Sequence, residues 1–194
     1  MPREKQYNKA EVVERAMNAF WAHGYEKTSV NDLVNTTGLN RGSLYSAFDD
    51  KRKLFIESLR SYDKRYRSEF LEDIAGRNEP VDAIIALFEE AALNTGDKGK
   101  PAGCLLVNTA LEVSPHDEEI RDLVQTSLNQ VEEFFLQMIE KAKSTGVLSV
   151  SLPERQTSKS LLGLFLGLRV LTRSGAEKET LDTLTSQARV MLGI

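Results

Sequence analysis

Asn40, Arg41, Gly42, Ser43, Tyr45 and Ser46 set an amide, a guanidinium, two hydroxyls and a phenol around one glycine. These groups give and take hydrogen bonds. No activated nucleophile stands among them, so they are not assembled for breaking bonds. A guanidinium can grip the O6 and N7 edge of guanine, and amides and hydroxyls reach bases or phosphate oxygens. A second set is Cys104 and His116, which could be imagined as nucleophile and base. No third orienting group or oxyanion loop accompanies them, so an enzyme is not expected. Cys104 reads either as an inert buried thiol or as a sensor thiol at a loop-to-helix junction, open to an oxidant or electrophile. The run His116-Asp117-Glu118-Glu119 contains metal-ligand types. Capping of a helix start explains its acids, and no metal or other cofactor is expected.

The first set needs a short helix presented at a corner, and the flanking residues supply one. Ser29 with Asp32 three residues on forms a capping box, and Val30, Leu33 and Val34 give one apolar side. Gly38 stands where that helix must stop, since only glycine takes the left-handed conformation cheaply. Asn40 caps the next helix, Leu39 staples onto Leu44, and Leu44 and Phe48 turn one face inward. Arg41, Gly42, Ser43, Tyr45 and Ser46 are left more outward. On its pattern alone this corner suits a plain helical bend as well as it suits a major groove.

The longer run decides between them. Gly38-Leu39-Asn40-Arg41-Gly42-Ser43-Leu44-Tyr45-Ser46-Ala47-Phe48-Asp49-Asp50-Lys51 resembles, without a gap, the G-[VL]-x-x-G-x-[LI]-Y-x-x-F-x-x-K signature of the TetR (tetracycline-repressor-like) family. Asn35-Thr36-Thr37 departs from the small or acidic residue and alanines usual there. The strong match covers about the first third of the chain. The resemblance implies a homodimeric repressor that binds double-stranded DNA at a palindromic operator and is released by a small-molecule effector. It places Lys51 against the DNA backbone and the dimer contact in the last two helices. On this reading Arg41 reads a base, and Thr28, Ser29, Tyr45 and Lys51 hold phosphates.

Composition fits a modular DNA binder. The net charge is −4, but residues 1–67 hold 13 Lys/Arg against 9 Asp/Glu, and residues 68–194 hold 12 against 20. A basic head on an acidic body suits contact with phosphates. With 41% hydrophobic and 28% charged residues the chain has an ordinary globular composition. The polar start MPREKQYNKA suggests no secretory signal. The longest apolar run, Leu161 to Leu168, is too short to span a membrane, and the single cysteine forbids an internal disulfide. A cytoplasmic location is expected.

The expected fold class is all-α. A head at residues 6–66 carries the helix-turn-helix at about 29–48, and a larger body at 67–194 serves effector binding and dimerisation. Helix one starts at an Asn8–Glu11 capping box and buries Val12, Val13, Ala16, Met17 and Phe20. A long helix runs from the Asp50 cap to about Ile74, with Arg52 and Lys53 read as solvated charge. Residues 94–103 form a loop, and the next helix, Cys104 to Leu111, is apolar almost all round. Ser114-Pro115 restarts a helix as cap and first position. The greasy centre of the next-to-last helix, with Gly163 and Gly167, and the amphipathic last helix read as a dimer interface of Leu161, Leu164, Phe165, Leu168, Leu181 and Leu184. An effector pocket is expected at Phe88, Cys104, Val107, Asn108, Leu111 and Phe134. Asn108 is equally open to satisfaction by a backbone carbonyl. Two further readings remain: a Cys104-based redox or electrophile sensor, and a helical binding module without DNA recognition.

Overall fold

The computed structural model describes residues 7–96 and 101–194; the expected domain start at residue 6 and residues 97–100 of the expected loop lie outside them. The helices are α1 (Lys9–His23), α2 (Val30–Thr37), α3 (Arg41–Phe48), α4 (Lys51–Tyr62), α5 (Glu69–Arg77), α6 (Pro80–Leu93), α7 (Leu105–Glu112), α8 (Glu118–Ser144), α9 (Glu154–Ser174) and α10 (Lys178–Leu192). No strand occurs among the described residues. The fold is all-α, as the periodicity predicts.

Local chemistry explains the starts and stops. Asn8 accepts the Ala10 N–H at 3.0 Å and opens α1. Gly38 ends α2 at φ +76°, a left-handed conformation in which a side chain would be strained. Asp50 caps α4 by accepting the Lys53 N–H at 2.7 Å. One start differs from expectation. Ser114 does not cap α8; its hydroxyl is buried and donates to the Thr109 carbonyl, and Asp117 is the cap instead.

α1 packs on α2 and α4, burying Phe20, Leu33, Leu44, Phe48 and Phe55 in a small core. Phe20 and Phe55 meet edge to face at 4.9 Å. That core continues into the body, through Leu105, Leu106, Val113, Ile120 and Val124. A second core lies between α6, α8, α9 and α10. The long helix expected after Asp50 does run on through α5, but Asp63–Ser68 winds as a π-helix. Such widened turns are rare and gather at functional sites. Tyr62 and Tyr66 stack at 5.2 Å across it, and Trp21 meets both edge to face. The expected boundary near residue 66 falls inside this segment.

Candidate functional site

α3 carries an outward face free of acids. Leu44 and Phe48 are 4% and 3% exposed, anchoring the helix inward. Asn40, Arg41, Gly42, Tyr45 and Ser46 are exposed together, and Ser43 is half-buried. Asn40 is partly spent as a cap, accepting the Ser43 N–H at 2.8 Å. The Arg41 guanidinium lies 5.8 Å from the centre of the Tyr45 ring and has no ion pair among the described residues. A weak cation–π contact of this kind orders the side chain without neutralising it.

The flanking residues are placed differently from one another. Thr28, expected to hold a phosphate, is 1% exposed and its hydroxyl donates to the Gly24 carbonyl at 2.6 Å, so its side chain is turned away from the surface. Ser29 is exposed, but its N–H and hydroxyl both donate to Asp32, at 2.9 and 2.6 Å. Those bonds, hydroxyl first, hold the Asp32 carboxyl below its ordinary value. Lys51 sits half-buried with its ammonium 4.2 Å from the Tyr25 ring centre. Lys27, which sequence reasoning passed over, is an exposed cation two residues ahead of the α2 cap.

Gly42 has no structural need to be glycine. A Cβ there would meet only Asn40 Oδ1, at an ordinary 3.5 Å. Glycine in a helix costs about 0.5–1 kcal/mol relative to alanine. The bare backbone there leaves room for a partner outside the chain to come close. Gly42→Ala is therefore expected to raise thermal stability by about that amount while weakening DNA binding. Paired melting and gel-shift measurements check both signs.

Three polar struts tie this head to the body. Arg52, expected to be solvated, instead grips Asp117 with Nε and NH2 at 2.6 and 2.9 Å and reaches Glu119 at 2.8 Å. The Glu112 carboxylate at the end of α7 accepts the N–H groups of Tyr25 and Glu26 at 3.0 and 2.8 Å. Gly24 makes room for it, since a Cβ there would lie 2.8 Å from Glu112 Oε2. Arg173 on α9 donates to the Ala22 carbonyl at 2.7 Å. The Arg52 bonds pull the Asp117 carboxyl from 3.8 down to about 2. A depressed folded-state value means this strut's contribution is complete above about 4 and disappears as pH falls through 2. Asp117→Asn is thus expected to flatten the acid limb of the stability profile between pH 4 and 2, as read by denaturation at a series of pH values.

A cavity of about 430 Å³ lies where α1, the π-helical segment, α6, α7 and α9 meet. It is lined by Trp21, Tyr62, Tyr66, Leu87, Val107 and Arg169, among others. Of the residues expected to form a pocket it brings together Cys104 and Val107 only. It touches the first turn of α7, so Asn108 and Leu111 lie beyond its rim, and Leu111 is 70% exposed. The Asn108 amide nitrogen has no partner among the described residues, carbonyl or otherwise. Phe88 and Phe134 point into the second core, where each packs on Phe135 at 5.9 and 5.8 Å. Burial pushes the Tyr62 hydroxyl well above its ordinary value, and neighbouring Cys104 adds to the rise.

The expected interface leucines are also redistributed. Leu161, Leu168 and Leu181 are at most 2% exposed within the single chain, because they fill its own core. Phe165 lines the cavity, and Leu164 and Leu184 pack partly on the core. α9 leaves Arg155, Gln156, Lys159, Ser160, Gly163, Gly167, Val170 and Ser174 exposed, and Gly163, Gly167 and Val170 fall on successive turns of one face.

Comparisons with known proteins agree with this architecture. Residues 12–57 match the model of "Bacterial regulatory proteins, tetR family", and residues 80–187 that of "Tetracyclin repressor-like, C-terminal domain". The chain is 30% identical over 182 residues to an uncharacterized HTH-type transcriptional regulator of Bacillus subtilis, YezE, covering 94% of this chain and 92% of the relative. It is 27% identical over 180 residues to the HTH-type transcriptional repressor ComR of Escherichia coli, covering 92% and 86%. The fold superposes on a cysteine mutant of the TetR-family regulator CifR complexed with 26-bp double-strand operator DNA, with a TM-score of 0.85, 24% identity and coverage of 96% and 97%. It likewise superposes on the reduced form of Escherichia coli NemR, with a TM-score of 0.81, 21% identity and coverage of 93% and 94%. The chain belongs to the TetR family of bacterial DNA-binding transcriptional regulators, which are not enzymes.

Proposed function

We infer that the protein is a cytoplasmic repressor that binds a palindromic operator as a homodimer and is released when a small molecule enters its cavity. The observation that carries this is Arg41: a guanidinium with no ion pair among the described residues, exposed at the start of a capped helix whose outer face has no acid. Two copies would pair through α9 and α10, with Gly163 and Gly167 letting backbones come close and exposed Val170 beside them. Two heads then meet half-sites about 34–36 Å apart, or a multiple of that. The cavity volume falls within the roughly 300–1,000 Å³ usual for small-molecule sites. An occupant there touches α1 directly and the π-helical segment that leads from α4 into the body. It can therefore favour one head orientation over another. Selection from random duplexes tests this: enrichment of an inverted repeat supports it, and no enrichment overturns it.

Cys104 supports a second trigger for the same regulator, because its thiol lines the cavity beside Tyr62. Release of DNA by N-ethylmaleimide in the parent, but not in Cys104→Ser, would distinguish that trigger from reversible binding.

A further inference from the structure

The cavity's polar groups are not evenly matched. Arg65 pairs with Glu14 at 2.6 Å, Arg67 with Asp63, and Glu90 with Arg77 at 3.7 Å. Arg169 differs. It is 8% exposed and donates to two neutral carbonyls, Ala91 at 3.4 Å and Gly103. No carboxylate among the described residues pairs with it. A buried guanidinium without a counter-charge is costly to hold, and backbone carbonyls offset only part of that cost.

A second group is also unmatched. Trp21 is 1% exposed and forms part of the cavity wall, and its indole Nε1 is buried with no hydrogen-bond partner among the described residues. Indole N–H is a donor only, so it lacks an acceptor. The cavity therefore presents a cation and an orphan donor and no free acceptor of matching charge. Around them the wall is apolar, with Leu71, Leu87, Leu106, Val107 and Val131.

We propose that the cavity takes an amphipathic organic anion, a carboxylate on an apolar body, whose oxygens accept from the Arg169 guanidinium and the Trp21 indole N–H. This rests on the effector reading above and names the chemical class of that effector. The two donors belong to different parts of the fold. Trp21 is on α1 of the head, and Arg169 is on α9, one turn before Arg173, whose guanidinium holds the Ala22 carbonyl beside Trp21. An anion held by both thus lies alongside the α9-to-α1 strut, and its occupancy bears directly on how the head is held.

The test uses the full-length protein and two acids, decanoate and 2-naphthoate, each with its neutral and cationic counterparts: decanol and decylamine, 2-naphthol and 2-naphthylmethylamine. Trp21 is the single tryptophan, so its emission reports the cavity. At least one acid is expected to change that emission saturably, at concentrations about tenfold or more below its neutral counterpart, with the amine weaker still. Trp21→Phe keeps an aromatic ring in the wall and removes the N–H. It is expected to weaken the acid about tenfold by calorimetry and to leave the neutral compound unchanged. Arg169→Met is expected to abolish the preference; since Arg169 also supports two carbonyls, Trp21→Phe remains decisive if that variant does not fold. If neither acid binds better than its neutral counterpart, the proposal is overturned. Neutral compounds that release the operator as readily as acids would overturn it too and leave the effector reading standing. Acids that bind with the expected preference but leave operator affinity unchanged would support the anion site and remove the effector reading.

Discussion

Arg41→Ala is expected to cost about 1–3 kcal/mol of discrimination at one base pair of each half-site, roughly five- to 150-fold in specific affinity. Binding to unrelated DNA should change much less. Arg41 is exposed, and among the described residues it makes no ion pair that its loss would disrupt. The helix that carries it is anchored by Leu44 and Phe48, which the substitution does not touch. Lys51→Ala makes the contrast. Its ammonium faces the Tyr25 ring beside the α4 start, and the expected role is a phosphate contact rather than a base contact. It should weaken binding to all sequences alike and reduce the slope of log affinity against log salt by about 1. Titrations of both variants against cognate and scrambled duplexes, at several salt concentrations, separate the two roles.

Glu112→Ala is expected to have the largest effect on stability of any change to the three polar struts at the head–body junction. The carboxylate accepts two backbone N–H groups from a segment 86 and 87 residues away in sequence. Those donors follow Gly24, whose φ of +86° shapes the turn around them. Without the carboxylate, the half-buried Tyr25 N–H and the exposed Glu26 N–H lose a charge-assisted partner, at a cost of about 1–3 kcal/mol. For a chain of this length that lowers the melting temperature by roughly 2–4 °C per kcal/mol. Glu112→Gln should fall between parent and alanine variant, since an amide oxygen still accepts but without the charge. Thermal melts of the three proteins check the order. The head should also loosen, so hydrogen exchange at Tyr25 and Glu26 is expected to speed up more than exchange in α6 or α8.

The parts of the site legible in the sequence are those set by residues within four positions of one another. The Ser29–Asp32 box, the Gly38 stop, the Asn40 cap and the inward Leu44–Phe48 pair are all local, and each stands in the structure as spacing predicts. The struts were not legible, because their partners are far apart in the chain. Nothing near Arg52 announces Asp117, and nothing near Glu112 announces Tyr25. Thr28 illustrates the same limit on a smaller scale: next to Ser29 in sequence, it turns inward to the Gly24 carbonyl. The body's helices were read correctly as apolar, but helices apolar on nearly every side do not reveal which side their own chain covers. Leu161, Leu168 and Leu181 prove to be internal, and the glycine face of α9 remains outside. The π-helical turn carries no sequence mark either. It accompanies the packing of Tyr62 and Tyr66 against Trp21, a contact spanning more than 40 positions.

The pairing of two heads at a fixed reach is tested most directly by operator spacing. The inverted repeat recovered by selection would be lengthened at its centre by 5 bp and by 10 bp, and the affinity of the parent protein for each of the three duplexes measured at one salt concentration. Half a helical turn puts the second half-site on the opposite side of the duplex, so the 5-bp insertion should reduce affinity to that of a single half-site. The 10-bp insertion restores the facing but stretches the reach, and should recover little or part of it. Equal affinity for all three duplexes would contradict a paired, fixed-reach reader of DNA.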